Sequence, residues 1–167
     1  FAPSHLLSNI LRQYEGLCPQ VIRTPFIYQE IQEDESLYKM YLAGKNYLLF
    51  WGKMNQVKGA DILIRALPDV LKKNRSLHAV FVGSDSKLED GIMCSKFMED
   101  YLRAYTGRVH YWPLLEKEQL YPIVRHALAV VLPSRIDNYP NTCLEAQHFG
   151  KIVIGTKASS LEEMVSP

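Results

Sequence analysis

The chain of 167 residues is long enough for one domain with a buried core. Its composition, with 47% hydrophobic and 22% charged residues, is that of a folded protein rather than a disordered one. The formal net charge of +1 excludes the basic excess that general nucleic-acid binding requires, so we expect no nucleic-acid partner.

The cysteines and histidines exclude two further classes of site. The three cysteines are far apart and form no C-x-x-C pair, which fits reduced thiols in the cytoplasm better than a disulfide framework. The histidines show no H-x-x-x-H or H-E-x-x-H spacing, so we expect no metal site. The apolar runs have the length of strands, which predicts no transmembrane helix. The first residue is Phe1 rather than Met, and we expect a piece of a longer polypeptide.

The first 46 residues fall into three predicted elements. Residues 4–15 begin with a serine that can cap a helix and continue with amphipathic spacing, which predicts a helix. Residues 19–23 predict a short strand. Residues 29–46 are acidic and lack a clear period, which predicts a linker with one short helix and solvated acidic side chains.

From residue 47 onward apolar strands alternate with helices. Strands are predicted at 47–51, 77–82, 108–112, 128–132 and 152–155; helices are predicted at 60–73, 95–105, 116–126 and 140–149, and a last one begins at 161–165. Because the strands are apolar throughout rather than alternating, they predict an α/β fold with a Rossmann-like parallel sheet and helices on both faces. Ligands bind such sheets beyond the carboxyl ends of the strands, so the loops that follow the strands should form one site.

The segment Pro133–Gly150 joins a buried strand to a helix through a polar loop. Pro140 fits the first helical position, and the backbone N–H groups after it have no intrahelical partner. Such a helix start suits an anionic or hydroxyl-rich ligand. Two carboxylates, Asp137 and Glu145, flank it. The alternative is that Asp137 or Asn138 only caps the helix and that Glu145 is solvated.

The loop after the first long strand supplies positive charge. Its sequence GKMNQVKG, residues 52–59, is neither a Walker loop nor a G-x-G-x-x-G motif, so a dinucleotide is not indicated. Lys53 and Lys58 at a helix start suit a diphosphate group. The alternative is a pair of solvated surface lysines. In a parallel sheet these lysines should converge with Asp137 and Glu145 at the carboxyl edge.

Together these segments resemble a known family. The succession of GKMNQVKG, VFVG and PSRIDNYPNTCLEAQHFGKIVIGT, ending in LEEMV, is similar to the carboxy-terminal donor-binding domain of glycosyltransferase family 4. That family consists of retaining enzymes with the GT-B architecture, of which this chain would be one half. The resemblance implies that residues 1–28 are the tail of the amino-terminal domain, 29–46 the linker, and 47–167 the nucleotide-sugar-binding Rossmann-like domain.

The resemblance also implies a role for individual residues. Lys53 and Lys58 would bind the donor diphosphate and stabilise the charge that develops on it as the glycosidic bond breaks. Asp137 would hold a hydroxyl of the transferred sugar, and Glu145 would accept hydrogen bonds from the ribose. The other implied donor-binding residues are Gly52, Gly83, Trp112, Leu114, Asn138, Tyr139, Asn141 and Thr142.

The implied reaction transfers a sugar from a UDP- or GDP-sugar to an acceptor. It needs no metal or other cofactor. We assign no side chain as a nucleophile, because the family's retaining reaction is commonly described as a front-face substitution. The implied partners are the nucleotide-sugar donor, a sugar or lipid-linked acceptor, and the missing amino-terminal domain of the same chain. The fragment alone should be inactive, and the full-length protein should be cytoplasmic or peripheral at a membrane.

The chain departs from the family pattern at three positions. Lys53 stands where arginine is usual, Asp137 where glutamate is commoner, and Pro113 where a glycine is usual beside the base. These departures leave open the alternative of a non-catalytic nucleotide-binding module. A sugar-nucleotide epimerase would need a histidine-rich site and a flavodoxin-like signalling domain an acidic cluster after the first strand, and the sequence has neither feature. The base, the sugar, the acceptor and the oligomeric state stay open.

Overall fold

The computed structural model of the chain describes residues 1–165 and shows an α/β fold around one parallel sheet. The strands are β1 (Asn46–Trp51), β2 (Leu77–Val82), β3 (Val109–Trp112), β4 (Ala129–Leu132) and β5 (Ile152–Gly155). The helices are α1 (His5–Glu15), α2 (Ser36–Tyr41), α3 (Ala60–Lys73), α4 (Cys94–Tyr101), α5 (Lys117–His126) and α6 (Asn141–His148). The last two residues of the predicted domain 47–167 lie outside the described residues.

The five strands lie in the order β3-β2-β1-β4-β5, and every neighbouring pair is parallel. The chain therefore starts in the middle of the sheet, proceeds to one edge, and returns past β1 to form the other half. A crevice opens between β1 and β4, where the direction of winding reverses, and it is the usual ligand site of such sheets. The predicted parallel α/β sheet is confirmed.

Two hydrophobic cores cover the two faces of the sheet. One core packs α2, α5 and α6 against strand residues such as Leu49 and Val80. The other packs α3 and α4 against Phe50 and Phe81, the residues that follow Leu49 and Val80 in the sequence. Successive strand residues point to opposite faces, so a strand buried on both sides must be apolar at every position. This requirement explains the continuous apolar runs in the sequence.

The first helix is fixed at both ends by its sequence, and its serine cap is the predicted one. Leu7 donates a backbone hydrogen bond to the Ser4 hydroxyl at 3.1 Å, and Gly16 ends the helix in the left-handed region with φ 66°. None of the helices within residues 1–165 combines the length and the apolar character needed to span a membrane.

The short strand predicted at 19–23 is wrong. Only Val21 forms a bridge, and its partner is Ala2. Ala2 donates to the Gln20 carbonyl and accepts from Ile22, and the pairing then stops. Pro3 follows Ala2 and has no N–H to donate, so the ladder cannot extend in that direction.

The acidic segment 29–46 contains the predicted short helix, α2, but two of its acidic side chains are not simply solvated. Glu33 forms an ion pair with Arg125 of α5. Asp34 accepts a hydrogen bond from the Ser36 backbone at 2.9 Å and one from Gln119 at 3.3 Å. The acidic side chains therefore attach this segment to α5. Its aromatic and aliphatic side chains also pack on the core.

Two predicted helices are shorter than expected. The helix predicted at 95–105 is α-helical only to Tyr101, and the chain continues as a 3₁₀ turn, Arg103–Arg108. The last helix, predicted to begin at 161–165, is a 3₁₀ turn, Ser160–Glu163. Such tight turns are common at helix ends.

Two histidines lie side by side on β2 and β3. Nδ1 of His78 is 3.3 Å from Nε2 of His110, so one ring donates and the other accepts. Burial, followed by the positive charges of Lys45 and His78, lowers the pKa of His110 to about 4. Burial, followed by the charges of Lys45 and Arg108, also lowers the pKa of His78. Both rings are therefore neutral in the folded protein at pH 7.

We predict that acid destabilises the fold through His110. Its pKa is lower in the folded than in the unfolded chain, so the unfolded chain takes up the extra proton first as the pH falls from about 6.5 towards 4. Allowing for partial exposure of the ring, the free energy of unfolding should fall by about 2 kcal/mol between pH 7 and 4.5 from this group. Urea denaturation at both pH values should show a smaller loss in His110→Gln than in the wild type. The exposed His5 provides the control His5→Gln, and an equal loss in all three proteins would contradict the prediction.

Candidate ligand site at the carboxyl edge of the sheet

The candidate site lies in the crevice between β1 and β4. The loop after β1 carries Lys53 and Lys58, and the loop after β4 carries Asp137. The two loops are joined directly, because the Arg135 backbone N–H donates to the Val57 carbonyl at 2.9 Å. The parallel arrangement of β1 and β4 thus brings together charged residues that are about 80 positions apart in the sequence.

Glycines allow the backbones at this edge to approach one another. Gly59 begins α3 with φ 70°, and a Cβ at that position would lie 1.9 Å from the Pro133 carbonyl oxygen. Gly83, at the end of β2, has φ 148°, and a Cβ there would lie 1.8 Å from the carbonyl oxygen of Gly52. No side chain fits at either position. A Cβ at Gly52 itself would meet nothing within 4 Å, so this glycine borders open space.

Arg135 locks the two loops together electrostatically. Its Nη1 and Nη2 atoms donate to the two oxygens of Asp61 at 2.7 and 2.8 Å, and Nη1 also donates to the Gln56 carbonyl at 2.6 Å. Asp61 is buried in the first turn of α3. The Asp61 carboxylate raises the pKa of Arg135, against the opposing effect of desolvation. Such a bidentate pair fixes position as well as charge.

The pair Lys58 and Asp137 forms the centre of the site. Lys58 Nζ lies 2.7 Å from Asp137 Oδ2, which also accepts from the Ser134 hydroxyl at 3.1 Å. The Asn138 backbone N–H donates to the other carboxylate oxygen at 2.9 Å. Asn55 holds the Lys58 backbone N–H at 2.8 Å. The structure therefore brings two of the predicted site residues into direct contact and holds both in place.

The start of α6 differs in detail from the prediction. Pro140 is not the first helical residue but the N-cap, with φ −66° and ψ 131°, and its carbonyl accepts from the Cys143 N–H. The φ angle of proline suits both positions. Neither Asp137 nor Asn138 caps the helix, so that alternative is wrong. Within the described residues, the N–H groups at the start of α6 before Cys143 donate to no protein group, so they stay open to a ligand.

A strained residue precedes this helix. Tyr139 has φ 64°, which few residues other than glycine adopt, and its side chain is buried. Its backbone N–H donates to the Ser160 hydroxyl at 3.0 Å, and that hydroxyl donates to the Asp137 carbonyl at 2.7 Å. Asn138 accepts from the Ser4 hydroxyl at 3.1 Å. Ser160 and Ser4 thus hold the loop from outside it, and strain held in this way is typical of functional sites.

A small cavity of about 40 Å³ opens at this edge. Its lining residues are Phe50, Trp51, Gly52, Lys58, Leu132, Ser134, Asp137 and Thr142. A cavity of about 520 Å³ lies beside α4, but none of its lining residues belongs to the loops after β1 or β4. The candidate site is therefore distinguished by its charge and its open backbone N–H groups rather than by its volume.

Glu145 is buried rather than solvated, so that alternative is wrong as well. It lies on α6, and its Oε1 accepts from the Tyr121 hydroxyl at 3.1 Å. Lys117 Nζ lies 3.7 Å from the same oxygen. Burial, followed by the negative charge of Glu145, raises the pKa of Tyr121.

The remaining predicted residues are less constrained. Lys53 is exposed and forms no ion pair with any other residue in 1–165. Trp112 is partly buried and packs near Tyr41 and His110. Leu114 is 71% exposed, and Asn141 is also exposed. Their roles in binding a donor stay predictions. Across residues 1–165 there is no cluster of three or more metal-ligating side chains.

Sequence reasoning gave no role in the site to four residues that shape it. Arg135 pairs with Asp61 across 74 positions, and Tyr121 reaches Glu145 across 24. Ser160 and Ser4 act from the two ends of the chain. No motif or period links such pairs, so only the fold reveals them.

Comparisons with known proteins agree with this architecture. Residues 45–167 match the family described as glycosyl transferases group 1. A D-inositol 3-phosphate glycosyltransferase of Segniliparus rotundus is 28% identical over 118 residues, which cover 70% of this chain and 26% of that protein. The chain spans 20–30% of the length of the curated relatives that it matches.

Two solved structures show the likeness of fold. Anabaena HepE in complex with UDP and glucose aligns with a TM-score of 0.78 and 19% identity over 99% of this chain and 46% of that chain. The C-terminal domain of the glycosyl transferase group 1 family protein LpcC from Francisella tularensis aligns with a TM-score of 0.66 and 21% identity, over 83% of this chain and 71% of that one. The structural neighbours are GT-B glycosyltransferases.

We predict that Gly59→Ala disrupts the contact between the two loops. A positive φ alone costs a residue with a Cβ about 1–2 kcal/mol, and the overlap with Pro133 should add about 1–3 kcal/mol. Gly44 has φ 73°, and a Cβ added there would meet nothing within 4 Å, so Gly44→Ala is the matched control for φ alone. Urea denaturation should show a clearly larger loss of unfolding free energy for Gly59→Ala than for Gly44→Ala. Equal losses in the two variants would mean that the loops separate without cost.

Proposed function

The chain belongs to the glycosyl transferases group 1 family, and on this premise we propose that it binds the nucleoside-diphosphate sugar donor of a retaining glycosyltransferase. The donor site is the crevice between β1 and β4. The observation that carries the proposal is the contact between Lys58 and Asp137, 2.7 Å apart beside the open start of α6. In the proposed arrangement, residues 47–167 form the donor domain and residues 1–28 the tail of the preceding domain, with 29–46 as the linker.

The charges at the site suit a diphosphate. Lys58 and Lys53 supply two ammonium groups, and the N-terminus of α6 adds open N–H groups and the positive end of the helix dipole. As the bond between the sugar and the diphosphate breaks, negative charge grows on the leaving group. Fixed positive groups stabilise that charge more than they stabilise the intact donor, and this difference lowers the barrier.

Before a donor binds, Lys58 is neutralised by Asp137. A phosphate group that enters the crevice would compete for Lys58, which leaves an Asp137 oxygen to accept a hydrogen bond from a hydroxyl of the sugar. Ser134 and the Asn138 N–H keep the carboxylate in place during this exchange. Binding of the diphosphate and recognition of the sugar are therefore coupled through one ion pair.

The same contacts argue against Asp137 as a nucleophile. Both carboxylate oxygens accept hydrogen bonds, one from Ser134 and one from the Asn138 N–H, and these bonds remain when a phosphate takes Lys58. Each of these contacts lowers the nucleophilicity of the carboxylate. We therefore propose the front-face course, in which the diphosphate leaves and the acceptor attacks on the same side. No metal is needed in this proposal, because lysines and backbone N–H groups meet the charge of the diphosphate.

Support for the class of donor comes from a structural neighbour. HepE was solved in complex with UDP and glucose, and its fold covers nearly the whole of this chain. We propose that the acceptor site and the remaining part of the cleft come from protein outside this chain, since the chain covers 46% of HepE. Departures such as Lys53, Asp137 and Pro113 bear on the affinity for the base and sugar rather than on the location of the site.

Calorimetric titration of the chain with UDP, GDP and ADP tests the proposal. We expect one diphosphate to bind, and Lys58→Ala to weaken it by about 10-fold or more, since a hydrogen bond to a charged group contributes about 1.5–3 kcal/mol. Glu145→Ala should also weaken binding, and EDTA should leave it unchanged. The exposed Lys72 at the far end of α3 gives the control Lys72→Ala.

Failure of all three diphosphates to bind well-folded chain at millimolar concentration would overturn the proposed donor site. Binding that Lys58→Ala and Lys72→Ala weaken equally would place the ligand elsewhere on the surface.

A further inference from the structure

Only one of the two carboxylate oxygens of Glu145 has a hydrogen-bond partner among residues 1–165. Asp61, the other buried carboxylate among residues 1–165, has both oxygens paired with Arg135. Glu145 is 7% exposed, and its Oε1 accepts from Tyr121 and lies 3.7 Å from Lys117 Nζ. Its Oε2 has no partner in the described part of the chain. An open oxygen on a largely buried carboxylate makes this atom a candidate acceptor for a ligand.

The unpaired oxygen is not sealed inside the protein. Every fully buried side-chain nitrogen or oxygen atom in residues 1–165 has a hydrogen-bond partner. Since Oε2 of Glu145 has none, it must reach the surface. Glu145 lies on α6, one turn beyond the open N–H groups that begin this helix. One oxygen is therefore anchored within the protein, and the other is open at the surface, on a residue one turn from the start of α6.

The ring of Tyr121 is fixed by its aromatic neighbours. Its centroid lies 4.9 Å from that of Phe149 and 6.0 Å from that of Tyr28, which precedes the sheet in sequence. The ring is buried, and its raised pKa keeps the phenol protonated and able to donate. The hydroxyl therefore cannot turn away from Glu145 without repacking α5 against α6. Lys117 is largely exposed, so its contribution to holding the carboxylate is the weaker one.

We propose that Tyr121 is a positioning residue that orients Glu145, so that the free carboxylate oxygen reads the ribose hydroxyls of the nucleotide. The proposal rests on the proposed function and on the contact between Glu145 and the ribose that the family resemblance implies. It makes the pair of Tyr121 and Glu145 the group that distinguishes ribonucleotides from deoxyribonucleotides. Without the phenol, the carboxylate is free to rotate, and either oxygen can turn towards solvent.

The discrimination follows from the cost of an unpaired charge. A site built to hydrogen-bond a hydroxyl rejects the analogue that lacks it, because the buried acceptor is then left without a partner. A fixed carboxylate cannot relax to recover a partner, whereas a mobile one can. Loss of Tyr121 should therefore reduce the preference for ribose more than it reduces binding of the diphosphate, which Lys58 provides.

The experiment compares two forms of one nucleotide. The affinities of the chain for UDP, GDP and ADP and for their 2′-deoxy forms are measured by calorimetry, in the wild type and in Tyr121→Phe. We expect the wild type to prefer the ribose form by about 10-fold. In Tyr121→Phe the preference should fall to about 3-fold or less, while the affinity for the deoxy form should change by less than about 2-fold.

Matched variants separate positioning from general damage to the fold. Tyr105 donates its hydroxyl to the Pro68 carbonyl away from the site, so Tyr105→Phe removes a comparable hydrogen bond and should keep the full preference. Glu145→Gln should lower the preference as Tyr121→Phe does, and the double variant should lower it no further, because both changes remove one function. If Tyr121→Phe does not fold, the variant Lys117→Met takes its place, because it alters a largely exposed side chain. Its expected loss of preference for ribose is smaller.

The outcomes are distinguishable. If no diphosphate binds the folded wild type, the proposed function fails and this inference fails with it. If a diphosphate binds the wild type but without preference for ribose, or if Tyr121→Phe keeps the full preference, the inference is overturned and the donor site stands. A loss of preference confined to Tyr121→Phe, Glu145→Gln and Lys117→Met supports the inference.

Discussion

The site depends on the close approach of two backbones, where Gly59 at the start of α3 lies against the Pro133 carbonyl after β4. This contact places the loop after β1 directly on the loop after β4, and Arg135 then bridges the two by pairing with Asp61. Lys58 immediately precedes Gly59, and Asp137 lies in the loop that Pro133 begins, so the same approach sets the distance between their charges. A wider gap at Gly59 would separate Lys58 from Asp137.

Except for the exposed Lys53, the charged groups of the crevice have protein partners before any ligand arrives. Asp61 is paired on both oxygens and serves to hold the loops, whereas the pair of Lys58 and Asp137 is partly exposed and can exchange partners. Glu145 represents a third case, with one oxygen held by Tyr121 and one left open. These three carboxylates have similar chemistry, and they differ in their protein partners: Asp61 is held on both oxygens, Asp137 is paired but partly exposed, and Glu145 keeps one oxygen open.

The segment before the sheet contributes to the same site from outside. Ser4 at the start of α1 donates to Asn138, and Glu163 accepts the backbone N–H groups of His5 and Leu6. Tyr28 packs near Tyr121. The loop after β4 is therefore supported on one side by α1 and on the other by the 3₁₀ turn that follows β5. A movement of α1 would be transmitted to Asn138 through a single hydrogen bond.

The sequence by itself determined the fold class, the five strands of the sheet in their order along the chain, and the edge of the sheet where the candidate site lies. Apolar runs such as 47–51 and 77–82 indicate that each strand is buried on both faces, and this can be recognised in each segment separately. Strands buried on both faces are typical of a parallel sheet, so the runs predict such a sheet before the neighbour of any strand is known. The same reasoning placed Lys58 and Asp137 at one edge. It misjudged the strand at 19–23, Pro140 and the acids of 29–46, because pairing partners and helix starts depend on the neighbours that the fold supplies. Only the tertiary structure decided that Asp61 clamps, that Tyr121 holds Glu145, and that Gly59 meets Pro133. These contacts join residues 24 to 74 positions apart, and a side chain's partner at such a distance is set by three-dimensional packing rather than by any local pattern.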